Sequence, residues 1–345
     1  MDRYALVFTK PYQVQIQRET LSTPDENQVL VKTLVSSISA GTEILLYRNQ
    51  LKKGALLDIK IPYLSHGFTY PTKYGYSSVG RIISLGKNVP PQWQDKLVFS
   101  FHPHESHFLA SPPDLIPLPS GMPLEDAVFL SNMETAVNFV MDGNPVEGEN
   151  VVVFGQGVVG LLLTALLAKK PCLQRITIDH YPLRRTMSMR LGADVSLDTH
   201  ENIQKFLGNK KSDNGTGADL CFEVSGQPAA LDKAIQCTGF GGRIIIGSWY
   251  GTKKVLLDLG EHFHRNRIHI QSSQVSTIDP RFSADWTKER RINVAFEMIQ
   301  KIKPARLVTH TYPFHQAAEA YDLLDTHPEK TIQVLLKYEE ENRNV

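Results

Sequence analysis

The sequence predicts an α/β protein in two parts, one strand-rich and one a doubly wound parallel sheet covered by helices. Three observations predict it. Up to about residue 125, short alternating or β-branched runs are punctuated by Gly, Pro and Asn. Beyond that point, apolar strands alternate with helical stretches. At the centre, NVVVFGQGVVG (150–160) stops an apolar run on Gly155 and adds Gly157 and Gly160. A chain of 345 residues is long enough for two cores.

The elements follow in order. YALVF (4–8), QVLVKTLVSSIS (28–39), SSVGRIISLG (77–86) and DKLVFSF (95–101) read as strands of a sandwich or partly open barrel. SPPDLIPLPSGMP (111–123) is a stiff crossing segment. EDAVFLSNMETAVNFVMDG (125–143) reads as one amphipathic helix. VVVF (151–154) is a buried strand, and a helix from Val158 to Lys170 ends at Pro171. RITID (175–179) and LRRTMSMRLGA (183–193) repeat the alternation. ADLCFEVSG, AALDKAIQCTG and GGRIIIGSW extend it to Trp249, and RIHIQSSQV (267–275) is a further strand. Helices at 291–302 and 315–327 flank a short strand near RLVTHTYPF, and TIQVLLKY (331–338) closes the fold.

Composition excludes several classes. Acidic and basic residues nearly cancel, at a formal net charge of +1, so no general nucleic-acid or acidic-membrane surface is expected. Cys172, Cys221 and Cys237 are odd in number and far apart, which makes no disulfide framework. With no Cys-x-x-Cys, a thiolate-rich structural zinc site is not expected either. This usage suits a reducing cytoplasm. MDRYALVFTKPYQV has no apolar core of signal-peptide length. The most apolar stretch, Val151 to Ala168, is interrupted by three glycines and Gln156, so no membrane span is expected.

Gly155-Gln156-Gly157-Val158-Val159-Gly160 fits G-x-G-x-x-G, and its context is that of a Rossmann dinucleotide site. It follows an apolar strand, opens a helix, and precedes Asp179 by nineteen residues from Gly160. Gly155 permits the tight turn, Gly157 admits a pyrophosphate to the backbone, and Gly160 lets helix and strand pack closely. Free N–H groups at the helix N-terminus face the phosphates. Asp179 is suited to the ribose hydroxyls of NAD and would repel the 2′-phosphate of NADP. Arg184 and Arg185 keep NADP open as the alternative, since either is placed to pair with Asp179, stack on adenine or reach a 2′-phosphate.

Nearly the whole chain resembles the medium-chain dehydrogenase/reductase superfamily, with the zinc alcohol dehydrogenase fold. The resemblance rests on GRIISLGKNV (80–89) before DKLVFSF, NVVVFGQGVVGLLL, RLGAD (190–194), ADLCFEVSG and GGRIIIGSW. It implies a GroES-like strand-rich catalytic domain over residues 1–125 and 276–345. A Rossmann NAD(P)-binding domain would span 126–275. It also implies a homodimer, paired through the last strand of the nucleotide sheet at RIHIQSSQ.

Zinc-dependent relatives supply metal ligands from a Cys-x-[Ser/Thr]-[Asp/Glu] segment and a Gly-His-Glu segment. Here these read Ala40-Gly41-Thr42-Glu43 and Gly75-Tyr76-Ser77, and the third ligand position, near Ser131, is not cysteine. The resemblance therefore implies a site without zinc. SSISAGTE and YPTKYGYSSVGRI look like a zinc-less branch that includes enzymes similar to bacteriochlorophyllide hydroxyethyl dehydrogenase, in pigment synthesis. HPHESH (102–107) offers His102, His104, Glu105 and His107, and is expected to be an exposed polar loop rather than a metal site.

Hydride transfer at an alcohol carbon needs a group to take the proton and donors for the charge developing on oxygen. Thr42 matches the family's relay hydroxyl. Tyr76 is a phenol donor or else a core aromatic in the vacated metal position. Glu43 is a second catalytic candidate that would otherwise order its loop. Glu134 is either a base or orienter of the cofactor amide, or a helix-surface acid. Lys73, Tyr74 and His66 are outside candidates. The resemblance places Val224 and Ser225 along the adenosine half of the cofactor. It sets Gly247, Ser248 and Thr135 near the nicotinamide. Residues 48–74 form a long connection whose apolar side chains suggest a bulky, partly apolar substrate. The expected function is a zinc-independent NAD(P)-dependent oxidoreductase of an alcohol/carbonyl pair, cytoplasmic, with a small-molecule substrate. Reduction of an enone C=C bond and non-catalytic nucleotide binding are the alternatives.

Overall fold

The computed structural model describes residues 1–58, 60–207 and 217–339. In chain order the elements begin with β1 (Asp2–Lys10), β2 (Gln13–Thr20), β3 (Val29–Ile38), α1 (Ala40–Tyr47), β4 (Thr72–Lys73) and β5 (Ser78–Leu85). They continue with β6 (Leu97–Ser100), β7 (His107–Ala110), β8 (Ile116–Pro117), α2 (Leu124–Ala127) and α3 (Leu130–Gly143). Next come β9 (Asn150–Phe154), α4 (Val158–Leu167), β10 (Gln174–Ile178), α5 (Pro182–Arg190) and β11 (Val195–Leu197). The rest are β12 (Ala218–Glu223), α6 (Pro228–Cys237), β13 (Thr238–Ile246), β14 (His269–Ser272), α7 (Lys288–Ile302), β15 (Val308–Pro313), α8 (Ala317–Thr326) and β16 (Gln333–Lys337).

The chain divides into two compact units, Met1–Ser131 with Ile299–Val345, and Asn132–Met298. In the first, β1 pairs antiparallel with β2 and β4, and a larger sheet runs β15-β16-β3-β5-β6-β8 with β7 added on β3. Its main core gathers Leu6, Phe8, Ile38, Leu46, Phe68 and Tyr321. In the second, the sheet order is β11-β10-β9-β12-β13-β14 and every pair is parallel. The order reverses beside β9, and the carboxyl end of that strand is where the glycine loop begins, the place where such sheets bind ligands. The architecture is the expected mixed α/β one, a GroES-like strand-rich unit and a Rossmann unit.

Several local expectations need correction. The helix expected over 125–143 is broken at Val128 and Phe129 into α2 and α3. The unit boundary falls after Met298 and not at 275. Residues 276–298 stay with the parallel sheet because the buried Arg291 guanidinium donates to the carbonyls of Val275 and Thr277 and to Glu134 and Asn138. The connection at 48–74 is less a free loop than a folded flap. Gly54 donates to Phe68, Phe68 donates back to Ala55, and Leu51, Leu57, Leu64 and Phe68 enter the core. Of Leu56 and Leu57 in this segment, only Leu56 is exposed. Among the described residues, no helix is long and apolar enough to cross a membrane.

Candidate active site

The glycine loop is built as its spacing demands. Gly155 has φ +96°, and a Cβ there would meet Ser225 Cα at 2.5 Å. A Cβ on Gly160 would meet the Gly155 carbonyl oxygen at 2.0 Å, so α4 can start only against bare backbone. A Cβ on Gly157 would meet nothing within 4 Å, so this glycine faces open space. Gly157 is the N-cap of α4 and no side chain caps the helix, which leaves its first turn of N–H groups to an anion. These features fit the pyrophosphate of a dinucleotide.

Asp179 is buried, and its carboxylate accepts N–H bonds from Gln156 (2.7 Å) and Tyr181 (2.8 Å). Its first role is to hold the loop. Gln156 turns inward, bonding the Gly155 carbonyl and accepting from Thr164, so its side chain belongs to the loop and not to the open face. Val158 is buried and Val159 half-buried on α4. Arg184 lies over the Tyr181 ring at 4.8 Å. Arg185 pairs with Asp198 at 2.7 Å and with the Asp179 carbonyl, not its carboxylate. Beyond β12, Ser225 donates to Glu223, and Ser248 accepts from the Gly226 N–H at 2.8 Å. Val224 is half-buried. Gly247 packs against the Phe139 ring, where a Cβ would come within 2.1 Å of Cζ. Thr135 is half-buried on α3.

The strand-rich unit carries a cluster of hydroxyls. The short helix α1 starts at Ser39, and Glu43 reaches back to accept the Ser39 N–H at 2.7 Å. That fold-back sets Thr42 and Ser39 side by side. The Tyr76 hydroxyl bonds Ser39 Oγ and donates to Thr42 Oγ1 at 3.2 Å. Its ring packs on the core and edge-on to Tyr74. Burial pushes the Tyr76 phenol above its ordinary range and Glu43 adds to the rise, so Tyr76 keeps its proton at neutral pH. At the positions linked with metal ligands, Ala40 offers no donor atom. Tyr76 is engaged with two hydroxyls. Ser77 donates to the Val128 carbonyl and accepts from Ser131 at 3.1 Å. Neutral hydroxyls committed to one another are a poor donor set for zinc.

Glu43 and Glu134 are both buried, for different reasons. Glu43 accepts from Ser39 N–H and Tyr321 O–H and bonds His104 Nε2 at 3.1 Å. Glu134 is neither a surface acid nor a free base, since Arg291 holds it at 2.9 and 3.1 Å. Burial raises its carboxyl and Arg291 opposes the rise. The expectation of an exposed polar loop at HPHESH is also wrong. His102, His104 and Glu105 are buried. His102 stacks on Phe108 at 3.9 Å, and burial lowers its imidazole to about 3. Glu105 binds Arg3 and Lys73, both at 2.8 Å. Lys73 is thus engaged, Tyr74 is buried, and His66 is exposed. The alternation of the sequence hid this segment because its polar side chains are satisfied inside the unit.

One cluster was not anticipated. His180, Asp198 and His200 bring ligand atoms within 4.8 Å of one another, but Arg185 already neutralises the carboxylate that a cation would need.

Comparison with known proteins finds similar sequences and similar folds. The zinc-binding dehydrogenase family matches residues 158–292. The uncharacterized zinc-type alcohol dehydrogenase-like protein YphC of Escherichia coli is 24% identical over 90% of this chain and 92% of its own. Sorbitol dehydrogenase 1 of Saccharomyces cerevisiae is 25% identical over 75% of each chain. Among solved structures, the short chain alcohol dehydrogenase (rspB) of Escherichia coli, complexed with NADH, superposes with a TM-score of 0.77 at 18% identity. That match covers 97% of this chain and 99% of the other.

Proposed function

We propose that this chain, a member of the zinc-type alcohol dehydrogenase-like family, is a nicotinamide-dependent oxidoreductase that interconverts an alcohol and a carbonyl without zinc. The observation that carries the reading is that Tyr76, at a position the resemblance gives to a metal ligand, instead joins a hydroxyl cluster with Ser39 and Thr42. Bound nicotinamide would supply or accept the hydride. Gly155, Gly157, Gly160 and the uncapped start of α4 suit its pyrophosphate, and Asp179 favours NAD over NADP. The NADH held by the Escherichia coli neighbour supports a nicotinamide cofactor.

The chain's own part is proton handling. Tyr76 keeps its proton at neutral pH and turns its O–H from Thr42 Oγ1 to the substrate oxygen as negative charge develops there. Thr42 and Ser39 exchange hydrogen bonds with that phenol and give its proton a route of return. The substrate is a small molecule. Leu56 remains its apolar candidate contact, and a place in secondary-metabolite or pigment synthesis follows from the branch resemblance. Two copies are proposed to pair through β14, the edge of its sheet. A cytoplasmic location matches the free cysteines.

The test combines metal analysis with nucleotide titration and a screen of carbonyls and enones. Zinc below about a tenth of an equivalent, with tight NADH binding and carbonyl turnover, supports the reading. Stoichiometric zinc needed for turnover would overturn it. Hydride delivery to carbon of an enone, read by product NMR, would move the reaction to C=C reduction.

A further inference from the structure

We propose that His104 and Glu43 form a buried positioning dyad that aims the Tyr76 hydroxyl. This inference rests on the reading of Tyr76 as the proton-bearing group.

The geometry reaches Tyr76 from two sides. On one side the links are hydrogen bonds. His104 Nε2 meets Glu43 Oε2 at 3.1 Å. The other Glu43 oxygen takes the Ser39 N–H at 2.7 Å, and the Ser39 hydroxyl bonds Tyr76. On the other side the link is backbone. The His104 N–H donates to the Tyr74 carbonyl at 3.4 Å, and the imidazole lies on Gly75, the residue before Tyr76.

Both members of the dyad are fully enclosed, and their hydrogen bonds join one connected network. A carboxylate only accepts, so Nε2 carries a proton. His104 Nδ1 meets Ser36 Oγ at 2.7 Å, and Ser36 in turn meets the Tyr338 hydroxyl at 3.0 Å. Glu43 has a third donor in Tyr321. A fully connected buried network of this kind fixes one geometry, and losing one donor loosens the rest. An ordinary core would fill the same volume with apolar side chains at lower risk. The polar solution is placed under the one phenol of the hydroxyl cluster.

The test uses the full chain carrying tyrosine labelled with 13C at Cζ, whose shift reports the hydrogen bonding of each phenol. Tyr76→Phe assigns the Tyr76 resonance. In His104→Ala that resonance moves beyond its line width, while those of Tyr181 and Tyr250 in the other unit stay. In His104→Gln, whose amide can donate to Glu43, it returns. An unmoved Tyr76 resonance in His104→Ala overturns the proposal. So does a failure of Gln to restore it, which would leave packing alone. If His104→Ala does not fold, Ser36→Ala takes its place, keeping the imidazole and removing its Nδ1 partner. A Tyr76 resonance identical to wild type would then overturn the proposal. Where turnover is measurable, His104→Ala lowers kcat about tenfold at unchanged KM, and His104→Gln recovers it. Full turnover by Tyr76→Phe would remove the functional reading and leave the resonance result standing.

Discussion

The imidazole of His104 lies directly on the backbone of Gly75: a Cβ added to Gly75 would come within 2.8 Å of His104 Cδ2 and 3.0 Å of its Nε2. Gly75 also has φ +132°, a conformation that side-chain-bearing residues rarely adopt. Gly75→Ala is therefore expected to cost about 2–4 kcal/mol, by strain and by displacement of the ring. Urea unfolding measures it. A loss below about 0.5 kcal/mol would show that the two groups are not in contact.

Tyr76→Phe keeps the ring and deletes the donor. Turnover is expected to fall about a hundredfold with KM and NADH affinity little changed, because the lost bond strengthens only as charge develops. Steady-state kinetics with the best substrate from the screen check this. An unchanged kcat would reduce Tyr76 to a core aromatic.

Gly157 and Gly160 should respond in opposite ways to the same change. Gly157→Ala meets open space, so the protein folds with a nearly unchanged Tm but binds NADH weakly. Gly160→Ala puts a methyl 2.0 Å from the Gly155 oxygen and should cost about 3 kcal/mol or more. Thermal melts and fluorescence titration separate the two. Equal effects on Tm would refute the division of roles.

Glu134 is expected to support the fold and not the chemistry. Arg291→Met leaves a buried carboxylate alone and should cost about 3–5 kcal/mol. Adding Glu134→Gln should recover much of this, as the pair is removed together. Denaturant unfolding of the cycle gives the coupling. A single Glu134→Gln variant that folds but loses turnover completely would restore Glu134 as a base.

Acid should find His102. Its folded imidazole titrates near 3, because burial disfavours the cation, against 6.5 in an unfolded chain. Below 6.5 the unfolded state binds a proton that the folded state refuses, so stability falls as pH falls, by up to about 1.4 kcal/mol per pH unit. Glu105 and Glu134, raised by burial, act the other way: folded, they keep protons that the unfolded chain has released. Comparing wild type with His102→Phe from about pH 5 to 6.5 isolates the histidine. Parallel slopes would refute it.

The nucleotide half was legible because its signals are local. Gly155, Gly157 and Gly160 sit within one turn, and the strand before and helix after them announce themselves by period. The strand-rich half was legible as strands but not as a site. Tyr76 lies 37 positions from Ser39 and 34 from Thr42, too far for any local pattern to join them. Glu134 reads from the sequence as a base or orienter of the cofactor amide, or as a surface acid, because its partner Arg291 lies 157 positions away.

The sequence by itself determined the fold class, the order of the elements and the dinucleotide loop. Each follows from hydrophobic period and glycine sterics, which act over a few residues. Only the tertiary structure decided which polar groups are buried and with whom. His104 and Glu105 spell a surface loop, yet Ser36 and Glu43 satisfy the first and Arg3 and Lys73 the second inside. A buried polar group is stable only with its partner present, and folding alone brings those partners together.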